Sequence, residues 1–142
     1  MVDRDVTGLF TPIDADDVIR MHGQTWRVRE RSLVRVEAMT EPSGSALGSS
    51  NWRGSYVGVY GRATFADDVE NLGRSVVQLR SLTYPEEEGL RTTHDMLRTS
   101  SGVIEEDEDT IVLVTRRTRY VFRRVVGEEA ERVEACLAGS AV

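Results

Sequence analysis

The stretch from Thr110 to Ala138 constrains the fold of this chain more than any other. Thr110-Ile-Val-Leu-Val-Thr115 is a β-branched, apolar run, and Tyr120-Val-Phe-Arg-Arg-Val-Val126 follows it across the tetrad Arg116-Arg-Thr-Arg119. Two such runs joined by a short polar connection predict an antiparallel hairpin. The connection lacks the Asn-Gly or Asp-Gly pair of the tightest turns, so a loop of about three to five residues or a bulge is expected. Gly127 then breaks the strand pattern, and Glu128, Glu129 and Glu131 carry the negative charge that favours a helix amino terminus. Val126, Ala130, Val133 and Leu137 recur at spacings of four, three and four, one apolar stripe on a helix closing at Gly139. Such a helix must cover something. The sheet carrying the hairpin is nearest, so the helix is expected to pack across a sheet face or plug a barrel opening.

The remaining residues must supply that sheet. A chain of 142 residues can bury a real core without metal or disulfide staples, and one domain is the default. With 39% hydrophobic and 30% charged residues it is not of disordered composition. No apolar run approaches the roughly 18 residues that cross a bilayer, and Met-Val-Asp-Arg-Asp is no leader, so a soluble, cytoplasmic protein without membrane contact is expected. Cys136 is the single cysteine, which excludes an internal disulfide. All 18 basic residues are arginine, which coding bias explains more simply than selection for guanidinium chemistry. The net charge of −6 disfavours non-specific nucleic-acid binding over the whole surface, but a local basic patch is still allowed.

Residues 1–14, with Leu9-Phe10 and Thr11-Pro12, read as an amino-terminal arm before a β-rich domain at 15–139. Asp17 to Met21, His22-Gly23 and Gln24 to Glu30 read as a hairpin whose glycine tolerates positive φ, and His22 as a surface residue. Ser32 to Met39 reads as a further strand. The segment 41–54 opens with a glycine- and serine-rich run and reads as a mobile surface loop without a phosphate-binding pattern. Trp52 to Arg62 alternates as a strand would, with Tyr56, Gly58 and Tyr60 on one face and Arg53 and Arg62 flanking. That strand shares only Arg53-Gly54 and the closing tyrosine with the aromatic RNA-recognition motif. Ser75 to Leu82 reads as another strand, and Ala66 to Leu72 as a short helix or turn. Thr83-Tyr-Pro-Glu86 resembles a capping box opening another helix, with Leu90, His94 and Leu97 on its core-facing stripe. The acidic run Glu105 to Asp109 and the arginines Arg116, Arg117 and Arg119 sit at opposite ends of one strand, about 20 Å apart at roughly 3.3 Å per residue. Neither end can neutralise the other, so each is expected to meet a neighbouring segment, a second copy of the chain or a charged partner.

The expected fold is therefore α+β and mainly antiparallel: a small sheet or partly open barrel with two or three short helices, ending in a hairpin and a carboxyl-terminal helix. The order of strands, hairpin and single final helix over the last third resembles that of pleckstrin-homology-like domains, which serve as protein and lipid interaction modules. That resemblance is of element order and carries no residue motif.

No metal-ligand set, nucleophile elbow or phosphate loop is visible, and no cofactor is expected. The leading expectation is a non-catalytic protein-binding or assembly module using loop and hairpin surfaces: Arg116, Arg117, Arg119, Arg123, Trp52, Arg53, Tyr56 and Tyr60. The alternative lines a phosphate-ligand or nucleic-acid site with Arg116, Arg117, Arg119, Arg123 and Arg124, and stacks bases on Tyr56 and Tyr60. An acid-base enzyme using His94 with Asp95 ranks last, because adjacent helical residues point about 100° apart.

Overall fold

The computed structural model describes residues 17–48, 52–71 and 73–140, with the backbone alone for Trp52, Arg53 and Ser140. The expected arm at 1–14 and the middle of the 41–54 loop lie outside the described residues. The elements in chain order are β1 (Val18–Met21), β2 (Gln24–Thr40), a 3₁₀ helix (Trp52–Tyr56), β3 (Tyr60–Asp68), β4 (Ser75–Glu86), β5 (Gly89–Thr92), β6 (Leu97–Arg98), β7 (Gly102–Glu106), β8 (Thr110–Thr115), β9 (Arg119–Arg124) and α1 (Gly127–Ser140).

The strands form one antiparallel sheet in the order β1-β2-β3-β4-β7-β8-β9, and β9 also pairs with the second half of β2, which closes the sheet into a barrel. The seam between β4 and β7 is thin. Only Ser75 and Gly102 pair directly across it, while β6 is laid against Gln78 and Leu79 of β4. The interior is filled by Val34, Val36, Ala63, Phe65, Val77, Leu79, Ile111, Leu113 and Phe122. Phe65 meets Phe122 edge-on at 5.8 Å, and Tyr120 stacks on Phe122. Such aromatic contacts add to the hydrophobic gain of burying the rings.

Closure depends on β2. Residues 24–30 and 32–39, expected as two strands, are one strand of 17 residues that pairs with β1 and β3 at its start and with β9 at its end. Arg29 and Glu37 each interrupt the register as an extra residue, and such bulges bend and twist a strand enough to turn a barrel corner. The β1–β2 turn places both His22 (φ 54°) and Gly23 (φ 75°) in the left-handed region, the pairing a tight two-residue hairpin requires. His22 is exposed, and its Nε2 lies 2.8 Å from the Thr99 carbonyl oxygen.

The carboxyl-terminal hairpin and helix form as expected, with a three-residue loop between β8 and β9. The stripe on α1 starts one residue differently. Val126 is 71% exposed, and Val125 is buried in its place with Val133, Leu137 and Tyr60, against Leu33, Leu90 and Ala130. The helix thus lies across the outer face of the barrel, where its apolar side covers the start of β3.

Among the described residues there is one α-helix, not two or three. The segment 66–72, read as a short helix or turn, is over its described residues 66–71 the end of β3 and a turn in which Asp68 Oδ1 accepts hydrogen bonds from the Glu70 and Asn71 amides at 2.9 and 3.1 Å. Acidic residues before a glycine serve a turn as well as a helix start. The expected helix from Thr83 is the far half of β4 followed by β5, a hairpin on the Glu87-Glu88 turn. Thr83, read as a helix cap, and Thr92 are instead cross-strand partners whose hydroxyls lie 2.9 Å apart and stabilise the strand pair. Trp52 to Arg62 is not one strand either. Its first half is the 3₁₀ helix and Gly58 (φ 92°) turns the chain into β3, so Tyr56 and Tyr60 share no sheet face.

Candidate functional site

Two ion-pair networks account for arginines that had been expected to reach outward. At one barrel end Arg124 pairs with Glu30 at 2.8 Å and Glu106 at 2.7 Å, while the bulge residue Arg29 reaches Asp67 and Glu106. The Arg124 guanidinium holds the Glu30 carboxyl below its ordinary range. Arg123 pairs with the bulge residue Glu37 at 2.9 Å and, in a two-pronged contact, with Glu129 of α1 at 2.7 and 2.9 Å. Tyr60 donates its hydroxyl to Glu129 at 2.7 Å. Arg123 foremost, with Tyr60, lowers the Glu129 carboxyl to about 2. These side chains bind the barrel to itself.

The acidic run is therefore not without an internal partner. Antiparallel pairing sets Thr110 opposite Arg123, which returns Arg124, though not Arg116 to Arg119, to the acidic end. Arg116 and Arg117 are exposed at the hairpin turn, and Arg119 is half-buried on β9 beside Thr40. Trp52 and Arg53 lie in the 3₁₀ helix, Tyr56 packs on the barrel core, and Tyr60 is buried under α1. Of the expected binding residues whose side chains are described, Tyr60 and Arg123 are taken up in contacts with α1, away from Arg116 and Arg117 at the hairpin turn. His94 is exposed in the connection between β5 and β6, not on a core-facing stripe.

What does converge lies on the outer face of β2, β3 and β4. Cross-strand register sets Leu33, Arg62 and Arg80 in one row, and Arg31, Thr64, Gln78 and Arg98 in the next, continuing onto β6. Partners in a register share a sheet face, and neighbouring strands lie about 4.8 Å apart, so four guanidinium groups, one each from β2, β3, β4 and β6, stand over a patch four strands wide. A trough of about 480 Å³ opens over the β2, β3 and β4 part of this patch, lined by Arg31, Arg62 and Arg80 together with Ile19 of β1 and Glu134 of α1, with Arg98 beside it. Two of the cations are held at its rim: Arg31 forms a two-pronged pair with Asp17, and Arg62 pairs with Glu134 at 2.7 Å. Arg80 and Arg98 are exposed and have no acidic partner among the described residues. Arg62 stands directly opposite Arg80. Like charges opposite each other destabilise a sheet, and the Glu134 carboxylate on Arg62 offsets part of that repulsion.

Of these residues, only Arg62 was singled out in the sequence. The alternation in Arg31-Ser-Leu33, Arg62-Ala-Thr64 and Gln78-Leu-Arg80 marks one outward face on each strand. The register that aligns the three faces is a long-range property.

Comparison of the chain with protein-family models, curated proteins and solved structures finds no match.

Proposed function

We propose that this chain is a non-catalytic protein-binding module and that its binding face is the arginine trough, which receives an acidic segment of its partner. The observation that carries this reading is the juxtaposition of Arg62 and Arg80 on adjacent strands, with Arg80 and Arg98 left without a counter-charge among the described residues. Glu134 offsets the charge of Arg62, and an acidic group of another molecule would offset that of Arg80. An acidic protein segment suits the lining better than a nucleic acid. The described lining of the trough holds no aromatic side chain for stacking bases, and Ile19 and Leu33 offer aliphatic contact.

The test is titration of the protein with a peptide of consecutive glutamates, beside a single-stranded oligonucleotide of similar charge. The peptide is expected to bind, weaken as salt rises, and lose about tenfold or more in affinity with Arg80→Glu. Binding that is indifferent to Arg80→Glu would remove the trough from the function. Tighter retention of the oligonucleotide, with a steep salt dependence, would replace the protein partner with a nucleic acid.

A further inference from the structure

We infer that the acidic segment received by the trough is the β7–β8 turn of a second copy of this chain, an inference that rests on the trough being the binding face. The turn is built as a rigid acidic knob. From inside, Arg124 donates to the backbone carbonyls of Asp107 and Glu108 at 2.8 and 3.1 Å, and its own amide donates to the Asp109 carbonyl at 2.8 Å. The Asp107 amide closes the turn on the Thr110 carbonyl at 2.9 Å. Arg124 and Arg29 take the carboxylate of Glu106 alone. The side chains of Glu105, Asp107, Glu108 and Asp109 are exposed and without a cationic partner among the described residues.

Among the described residues the chain thus presents four unpaired carboxylates, three on the turn and Glu105 at the end of β7, and, on a different strand group, two unpaired guanidinium groups, Arg80 in the trough and Arg98 beside it. Both surfaces are ordered by internal contacts before any partner arrives, which lowers the ordering cost of association. The trough has the size of a pocket that takes a few side chains. The arginine turn at Arg116 and Arg117 is also basic, but it is a protruding loop and offers an acidic knob no enclosing wall. Contact between a knob on one copy and a trough on the next joins two different surfaces. It propagates head to tail, or closes as a pair when each copy lends its knob to the other.

Charge reversal tests this on the full chain, with the mass in solution as readout. A trough variant carries Arg80→Glu and Arg98→Glu; a knob variant carries Glu105→Arg and Glu108→Arg. All four positions are exposed and outside the internal ion pairs, so both variants are expected to keep the fold, checked by circular dichroism. The unmodified protein is expected to associate at about 0.05 M salt and dissociate towards about 0.5 M. Each variant alone is expected to be monomeric at either salt, and mixing the two is expected to restore association, since each then meets its opposite charge. Self-association that survives knob reversal, or a mixture that stays monomeric, would overturn the inference. An unmodified protein that is monomeric at low salt yet binds the glutamate peptide through Arg80 would also overturn it, while leaving the trough reading standing. A monomer that ignores the peptide would remove both.

Discussion

Gly102 shows how much one residue decides at the barrel seam. It makes the single direct pair between β4 and β7, and a Cβ at this position would lie 2.1 Å from the Val114 carbonyl oxygen, which is backbone and cannot swing aside. Gly102→Ala is therefore expected to destabilise the protein by about 3 kcal/mol or more, measured by denaturant unfolding. Glu129 makes a prediction in pH. Its carboxyl sits at about 2 in the folded state against an ordinary 4.5, so as pH falls the unfolded chain takes up this proton first. The stability it contributes is complete above about 4.5 and lost between about 4.5 and about 2. Glu129→Gln should cost about 2 kcal/mol at neutral pH and flatten the acid limb of the stability curve in that window. The gain of a third residue, Arg124, is collective. Replacing it by Gln leaves Glu30 and Glu106 facing each other at the barrel end, with an expected loss of about 3 kcal/mol in the same unfolding experiment.

At the scale of elements, α1 and β2 carry the architecture. The helix contributes Val133 and Leu137 to a buried cluster on the outer barrel face, and Leu137→Ala is expected to cost about 2–4 kcal/mol. Val126→Ser should fall within about 0.5 kcal/mol of neutral, because that side chain is exposed and Val125 takes the buried place. The helix itself was legible from its acidic first turn and its stripe. Its first contact was not, because Val125 and Val126 are chemically identical and only the path of the chain leaving β9 distinguishes them. The segment from Thr83 to Leu97 shows the opposite failure. Leu90, His94 and Leu97 fall at helical spacing, yet pairing with β4 gives β5 a ladder of hydrogen bonds that a short helix containing Gly89 could not match. The long β2 was read as two strands because its alternation shifts phase at a bulge, and a phase shift looks like an ending when the partner strands are unknown.

For the whole molecule, the distribution of charge matters more than its total. The net charge of −6 and the uniform use of arginine point to no function by themselves. The fold sorts those arginines into ion pairs that brace the barrel and an outer face on which, among the described residues, Arg80 and Arg98 remain without an acid. Local sequence was enough to determine that this chain forms antiparallel strands, a closing hairpin and a final amphipathic helix, because alternation and helical spacing are properties of a few neighbouring residues. It also determined that an acidic run and many arginines must find places on the surface. Only the tertiary structure decided that Arg123 and Arg124 serve the barrel while Arg31, Arg62, Arg80 and Arg98 share one face. The reason is register: strands distant in the chain align through backbone hydrogen bonds, and a shift of one residue would turn every one of those side chains to the opposite side.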